Sequence, residues 1–224
     1  MRKLVVSTFV TLDGVMQAPG GPDEDRSGGF AHGGWTVEYW DDRMNEVMGA
    51  VYSMPFDLLL GRRTYEIFAA HWPYIPEDHP DGVAAAKLNG ATKYVASRTL
   101  KSGDLTWSKS ELITDIPRQV AKVKQGEGPM ILVHGSGDLV QSLLRHDLVD
   151  EFQIWTFPVV LGSGKRLFGD GTQPRGLKLV ESTTSTTGVT IGTYRPAGAV
   201  KIGSFQLAEP TPAEVKRREK IARG

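Results

Sequence analysis

Short apolar runs alternate with amphipathic stretches along the first two thirds of the chain. Four runs rich in apolar and β-branched residues lie at 4–10, 56–60, 93–96 and 130–133. Each has the length of a strand and is bounded by turn-forming residues. The alternation of such strands with helical stretches predicts an α/β fold, with a mixed, mostly parallel sheet flanked by helices.

Between these runs, apolar residues recur at spacings of three and four, which is the spacing of one helix face. Thr36 is the expected N-cap of the first helix. Two stretches rich in Gly, Pro and Asp, residues 17–35 and 72–83, are predicted loops, and a loop as long as the first is typically functional. The helices are expected after Thr36, from Arg62, after Asp115 and from residues 135–137.

The last third of the folded region has a different pattern. Residues 152–157, 177–180 and 189–194 are strand-like runs separated by Gly-rich turns, without helical spacing between them. Such runs predict antiparallel C-terminal strands added to one edge of the sheet. Because no change in composition divides the chain earlier, we expect one domain over residues 1–196.

Residues 197–224 are expected to form a C-terminal extension that ends in a short basic helix. Thr211 and Glu214 have the spacing of a capping box at the start of that helix. Basic helices bind nucleic acid or acidic membranes, but this one has only Val215 and Ile221 as sizeable apolar residues. The composition therefore favours a solvated tail, or one packed against a partner.

Composition and charge narrow the classes of function. The 26 acidic residues balance the 26 basic ones, so the body lacks the positive charge typical of nucleic-acid-binding domains. The absence of cysteine excludes disulfides, thiol catalysis and Cys-ligated zinc. The first apolar run is too short for a signal peptide, and no window is long enough to span a membrane. We expect a cytoplasmic protein with a small-molecule substrate and no nucleic-acid or membrane partner.

Three loops that follow predicted strands carry the candidate ligand-binding residues. The carboxyl ends of parallel strands meet at one edge of a sheet, where open α/β sheets bind ligands. Arginine suits phosphate oxygens, and small residues at a helix N-terminus let backbone N–H groups approach a pyrophosphate. Arginine and serine away from that pyrophosphate favour NADP, with its extra 2′-phosphate, over NAD. The candidates are Gly61, Arg62, Arg63 and Thr64 in the first loop, Ser97 and Arg98 in the second loop, and Gly135, Ser136, Gly137, Asp138 and Leu139 in the third loop.

Four motifs, in this order, resemble the dihydrofolate reductase superfamily. They are LLGRRTYE at 59–66, YVASRTL at 94–100, ILVHGSG at 131–137 and PVVLGSG at 158–164, with TLDG at 11–14. The closest resemblance is to the branch related to the reductase domain of the bifunctional riboflavin-biosynthesis deaminase-reductase. It covers roughly residues 1–196. The resemblance implies an NADPH-dependent reductase with a dihydrofolate-reductase-like fold, often a homodimer.

By position, the resemblance assigns residues 61–64 and Ser97–Arg98 to the adenosine phosphates. It assigns residues 135–139 to the pyrophosphate and the nicotinamide side. One departure lies in this third loop, where the superfamily has two glycines and the chain has Gly135 and Ser136. A strained backbone costs more with serine than with glycine, so this departure affects the expected local geometry.

The substrate site and the proton donor are less well marked. Dihydrofolate reductases hold a pteridine ring with a carboxylate on their first helix. The matching stretch here contains several acidic residues, and the sequence does not distinguish which of them would have that role. Trp35, Glu38 and Tyr39 are the candidate substrate residues, although Trp35 and Tyr39 equally suit a core and Glu38 a solvated helix start. Asp13 is the candidate catalytic proton donor, with water as the alternative, and it equally suits an Asp-Gly turn.

Other catalytic arrangements have little support. The five histidines lack metal-ligand spacing, so no metal site is expected, and there is no nucleophile elbow or Walker loop. His134 ends the fourth strand, where a structural role is favoured over contact with a cofactor. The preferred hypothesis is hydride transfer from NADPH to a C=N or C=O bond of a small heterocyclic or sugar-derived substrate, pterin-like or riboflavin-precursor-like. The alternatives are an NADP(H)-binding module without turnover and a scaffold whose basic tail binds nucleic acid.

Overall fold

One eight-stranded sheet forms the centre of the protein. The computed structural model describes residues 1–223. The strands are β1 Leu4–Thr11, β2 Phe56–Gly61, β3 Lys93–Ala96, β4 Ser110–Ile113, β5 Met130–Val133, β6 Glu151–Phe157, β7 Leu177–Thr184 and β8 Thr190–Pro196. They lie in the order β4-β3-β2-β5-β1-β6-β8-β7, and β8 runs in the direction opposite to the other seven, antiparallel to both β6 and β7. The predicted mixed, mostly parallel sheet with an antiparallel C-terminal end is confirmed.

Helices cover both faces of this sheet. Alternate residues of β1 enter opposite cores, as the pleat of a strand requires. Val6 is fully buried in a core that includes Leu143, whereas Val5 packs on the other face with Tyr65. The helices are α1 Asp42–Ser53, α2 Arg62–Ala69, α3 Gly82–Gly90, α4 Ala121–Gln125, α5 Gly137–Arg145 and α6 Pro212–Ala222.

The first helix begins later than its apolar spacing predicts. Val37–Tyr39 is a separate 3₁₀ turn, and the N-cap of α1 is Asp41, whose carboxylate accepts the Met44 N–H at 2.9 Å. The predicted cap, Thr36, instead donates its hydroxyl to the Pro19 carbonyl at 2.7 Å. The prediction of Thr36 as the cap was therefore wrong, because a nearer carboxylate satisfies the free N–H groups.

A contact between distant segments fixes this helix start. The second carboxylate oxygen of Asp41 accepts the hydroxyl and the N–H of Thr186, at 2.6 and 2.7 Å, in the turn between β7 and β8. The hydrogen bond from Thr186 lowers the pKa of Asp41 to about 2. Because this partner is remote in sequence, local spacing does not indicate where α1 begins.

Two elements are missing from the sequence prediction. The predicted loop 72–83 is only partly a loop, because α3 begins at Gly82. Its alanine-rich sequence buries Ala85 and Leu88 without a clear apolar face. The edge strand β4 was also missed, since Glu111 and its neighbours give no continuous apolar run.

The C-terminal extension contains α6, whose side chains are nearly all exposed. The Thr211 hydroxyl accepts the Glu214 N–H at 3.3 Å, as predicted for a cap. The Glu214 carboxylate, however, accepts hydrogen bonds from Arg217 and Arg218. The described residues therefore form one half of the predicted capping box.

Among residues 1–223, no helix combines the length and the apolarity needed to cross a bilayer.

Candidate functional site

A large cleft opens beside the carboxyl ends of β1, β2 and β5. Its volume is about 1830 Å³, whereas small-molecule pockets typically measure roughly 300–1,000 Å³. Its walls come from α1, α2, the first part of the long loop at 17–35, the segment after β5 and residues 165–170. The cleft is therefore large enough for a dinucleotide together with a second, smaller ligand.

The first turn of α2 supplies a cationic part of this cleft. Arg62, Arg63 and Thr64 all line it, as the sequence predicted for a ligand-binding loop. Arg62 also lies 3.3 Å from the exposed Glu66 carboxylate on the next turn. Farther along the helix, Phe68 lines the same cleft. The wall formed by α2 therefore changes from charged to aromatic within two turns.

Gly61 and Ser136 bring the first and third loops into direct contact. A Cβ added to Gly61 would lie 2.1 Å from Ser136 Oγ and 2.6 Å from Ser136 Cβ, closer than real side chains approach. Ser136 itself has φ 74° and ψ 97°, an unusual backbone conformation for a residue with a side chain. Gly135, at φ 78°, precedes it. A strained backbone is therefore present at Ser136, although it costs more with serine than with glycine.

The remaining residues of the third loop divide between the cleft and the core. Gly137 begins α5, and Gly137 and Asp138 line the cleft with Gly135 and Ser136. Leu139 is 3% exposed and packs in the main core. Its position supports the loop from behind, and the cleft wall does not include it.

The second loop lies at the same edge of the sheet but outside the cleft wall. Ala96 is paired with Gly61, so Ser97 follows directly beside the α2 loop. The Ser97 hydroxyl accepts the N–H groups of Thr99 and Leu100 at 3.1 and 3.0 Å. Arg98 is exposed. Ser97 therefore shapes the turn, and the role predicted for Ser97 and Arg98 in binding a phosphate stays a prediction.

A network of charged side chains ties the long loop to α2. Arg63 donates to the Ser27 hydroxyl at 2.8 Å and lies 3.8 Å from the Asp25 carboxylate. Lys165 pairs with the same carboxylate and donates to the same hydroxyl at 2.7 Å. Burial raises the pKa of Asp25, but the hydrogen bonds from Lys165 and Ser27 lower it overall. One carboxylate thus holds the loop to both sides of the cleft.

Asp13 has structural partners on both carboxylate oxygens. It accepts the Thr11 hydroxyl at 2.6 Å and the N–H groups of Leu161 and Gly162 at 3.2 and 2.8 Å. The hydrogen bond from Thr11 is the main cause of the lowered pKa of Asp13. Because these contacts favour the charged form and Asp13 lies outside the cleft lining, the geometry does not support Asp13 as the proton donor.

The three predicted substrate residues also lie outside the cleft lining. Trp35 is 8% exposed, donates its indole N–H to the Gln17 carbonyl at 2.8 Å and packs on Phe157. Tyr39 packs on the same ring, and Glu38 is exposed. Trp35 and Tyr39 are therefore core residues that support the long loop, which was the alternative interpretation of their pattern.

The aromatic wall of the cleft comes instead from residues that were not predicted from the sequence to bind a ligand. Trp40 is 37% exposed and stacks on the buried Trp155, with ring planes 4° apart. Phe9 contacts both of these rings edge-on. The spacing of apolar residues predicts which face of a helix is apolar, but it does not distinguish residues of the core from residues of a pocket. The aromatic residues of the wall are Phe9, Trp40, Tyr52, Phe68 and Trp72.

His134 lies on the same wall and is neutral. Its Nδ1 is 3.2 Å from the Ser7 carbonyl oxygen, and its Nε2 is 3.2 Å from the Tyr52 hydroxyl. Burial lowers the pKa of His134 to about 4. The structure therefore gives His134 both satisfied hydrogen bonds and a position on the cleft.

This shifted pKa predicts that His134 weakens the protein in acid. In the unfolded chain His134 binds a proton below about pH 6.5, whereas in the folded protein it binds one only below about pH 4. As pH falls between these values, the free energy of unfolding should drop by up to about 3 kcal/mol. His134→Gln should remove most of this dependence, measured by urea unfolding from pH 7 to 4. The exposed His146→Gln should keep it; an unchanged slope in His134→Gln would contradict the assignment.

Other titratable groups also face the cleft. Burial raises the pKa of Glu24, whose carboxylate accepts the Gly20 N–H at 2.6 Å. Glu24 lines the cleft from the long loop. Over residues 1–223, no group of three or more His, Asp or Glu side chains is placed to hold a metal ion.

The RibD C-terminal domain family model matches residues 2–191 of the chain. The chain belongs to the RibD C-terminal domain family. This membership confirms the resemblance to the dihydrofolate reductase superfamily, and it supports a reductase role and a nicotinamide cofactor of the type found in that family. Residues 192–223, which include α6, lie beyond the part matched to the RibD C-terminal domain.

Two curated relatives come from Bacillus subtilis strain 168. The uncharacterized protein YyaP is 28% identical over 189 residues, which cover 84% of this chain and 92% of YyaP. The uncharacterized protein YwjB is 29% identical over 182 residues, which cover 80% of this chain and 89% of YwjB. Both are related to this RibD C-terminal domain over most of their length.

Solved structures show the same fold at lower identity. A protein from Shewanella sp. PV-4, named for riboflavin biosynthesis, has 20% identity and a TM-score of 0.65, covering 87% of this chain and 99% of its own. A pyrimidine reductase-like protein from Corynebacterium diphtheriae has 13% identity and a TM-score of 0.56, covering 88% and 92%. These likenesses place the RibD C-terminal domain within the dihydrofolate-reductase-like fold.

Proposed function

We propose that the chain is an NADPH-dependent reductase that reduces a C=N or C=O bond in a small planar heterocycle, pterin-like or riboflavin-precursor-like. The observation that carries this proposal is the change in character along one cleft wall. Arginines stand on the first turn of α2, and an aromatic side chain stands on its last turn. An extended ligand with phosphates at one end and a flat ring at the other suits such a wall.

The residues of the cleft suit NADPH. Arg62 and Arg63 are placed to bind phosphate oxygens, and the N-terminus of α2 favours an anion. Gly61 keeps the third loop within contact distance, and no side chain fits between them. Gly135 and Gly137 leave that part of the wall open to a close backbone approach. When bound, NADPH would supply the hydride.

The protein would orient the substrate ring and exclude water. Trp40 and Phe9 offer flat apolar surfaces for stacking, and the long loop forms the facing side of the cleft. Asp25 holds this loop to Arg63 and Lys165, which suits a segment that closes over a ligand. The proton that accompanies reduction would come from water or from Glu24, since the carboxylate of Asp13 is engaged elsewhere.

Binding and turnover of NADPH test this proposal separately. Isothermal titration should give a dissociation constant on the order of micromolar for NADPH, and weaker binding for NADH. A panel of pterins, pyrimidinones and quinones should then contain a compound that drives NADPH oxidation at 340 nm. Absence of NADPH binding would refute the proposal. Binding without oxidation of any panel compound would favour the alternative, an NADP(H)-binding module without turnover.

Two finer expectations stay predictions that accompany this proposal: a homodimer and a cytoplasmic location. The basic tail, whose helix is exposed, also keeps its predicted role as a solvated or partner-bound segment.

A further inference from the structure

Tyr52 and His134 form a hydrogen-bonded pair on the wall of the cleft. Tyr52 projects from α1, and His134 directly follows β5. The two side chains meet through the Tyr52 hydroxyl and His134 Nε2, 3.2 Å apart, and both line the cleft. The other ring nitrogen, Nδ1, lies 3.2 Å from the Ser7 carbonyl oxygen on β1.

The direction of both hydrogen bonds follows from the partners. A carbonyl oxygen only accepts, so His134 Nδ1 must carry the proton. The buried imidazole is neutral, since its pKa is lowered to about 4, and it therefore has no second proton on Nε2. The Tyr52 hydroxyl must donate to that nitrogen, and burial raises the pKa of Tyr52, so the hydroxyl keeps its proton. Its phenolic oxygen is left with acceptor capacity alone.

We propose that Tyr52 is a specificity-determining residue that accepts a hydrogen bond from a ring N–H of the substrate. This inference rests on the proposed reductase function and narrows its substrate to planar heterocycles with an amide-type N–H. Phe68, which lies against His134 and lines the cleft, offers a face for stacking and has no hydrogen-bond donor on its side chain. A ring alkylated at that nitrogen would leave the phenolic oxygen unpaired, which binding sites reject.

Lumazine and its dimethyl derivative, in which both ring N–H groups are methylated, test this inference. Their affinities are measured by fluorescence in the presence of NADP⁺, which prevents turnover. Wild type should prefer lumazine, and Tyr52→Phe should weaken lumazine binding by roughly 10-fold, the value of one hydrogen bond. Tyr52→Phe should bind dimethyl-lumazine at least as tightly as the wild type does, because no phenolic oxygen is then left unpaired. The methyl groups add the same bulk in both proteins, so their steric effect cancels in this comparison.

Nuclear magnetic resonance of the wild type gives a second, mutation-free measurement. The His134 imidazole should show a protonated Nδ1 and a bare Nε2, and lumazine should shift these signals more than its dimethyl derivative does. A protonated Nε2, equal weakening of both rings in Tyr52→Phe, or no binding of either ring by the wild type would overturn the inference. NADPH binding by the same samples separates the two proposals, because its loss in the wild type would instead refute the reductase function.

Discussion

Replacing both Arg62 and Arg63 with alanine is expected to weaken NADPH binding by roughly 100-fold or more, and NADH binding by about 10-fold or less. Both side chains line the charged part of the cleft at the start of α2. Hydrogen bonds from guanidinium to phosphate are charge-assisted, and the 2′-phosphate exists only in NADPH. Isothermal titration of both cofactors against the wild type and the double variant measures the difference.

Arg118→Ala is the control, because Arg118 is exposed in the helical turn Ile116–Val120 before α4 and does not line the cleft. It removes one positive charge without touching the proposed site, and it should leave both cofactor affinities within about 2-fold of the wild type. Equal losses for NADPH and NADH in the double variant would show that the arginines contribute general charge. In that case they would not discriminate between the two cofactors.

Replacing Arg62 and replacing Arg63 would break different contacts. Arg62 pairs with the exposed Glu66, at 3.3 Å, and this surface pair contributes little to stability. Arg63 also holds Ser27 and Asp25, so its loss removes one attachment of the long loop, which Lys165 still holds, as well as a phosphate partner. Any phosphate bound by Arg63 must compete with the Asp25 carboxylate. The effect of Arg62→Ala alone is therefore the cleaner measure of phosphate recognition.

Much of this fold is predictable because buried parallel strands have continuous apolar sequences. Leu58, Leu59 and Leu60 are essentially inaccessible on both faces of β2, and the sequence marks that strand without ambiguity. An edge strand such as β4 buries fewer of its residues and gives a weaker signal. The start of α1 depends on Asp41 and its partner Thr186, which are 145 residues apart. Spacing within one element carries no information about such a partner.

The residues of the candidate site also differ in how well the sequence predicts their roles. Residues at strand ends, such as Arg62 and Gly137, are predictable because the topology alone brings them to one edge of the sheet. The role of a polar side chain such as Asp13 depends on the turn at Gly162, which is 149 residues away. Trp35 and Trp40 are both apolar in sequence, yet one is 8% exposed in the core and the other 37% exposed on the cleft. Only the packed structure separates these two roles.

The contact between Gly61 and Ser136 predicts a pair of variants in which the second repairs the first. Gly61→Ala should lower the free energy of unfolding by roughly 1–3 kcal/mol and impair NADPH binding, since its Cβ would overlap both side-chain atoms of Ser136. Ser136→Gly removes those atoms and relieves the residue's positive φ. In the double variant, the nearest remaining atom to the new Cβ is Leu139 Cβ at 3.6 Å, an ordinary contact.

Urea unfolding and NADPH titration of the two single variants and the double variant measure this coupling. The double variant should recover most of the lost stability, with an interaction free energy of roughly 1–3 kcal/mol between the sites. Gly103→Ala is the control, because a Cβ there meets open space. If Ser136→Gly fails to rescue Gly61→Ala, the glycine is needed for its backbone and not for close approach. Rescue of stability together with binding would show that contact between the two loops is what shapes the proposed phosphate site.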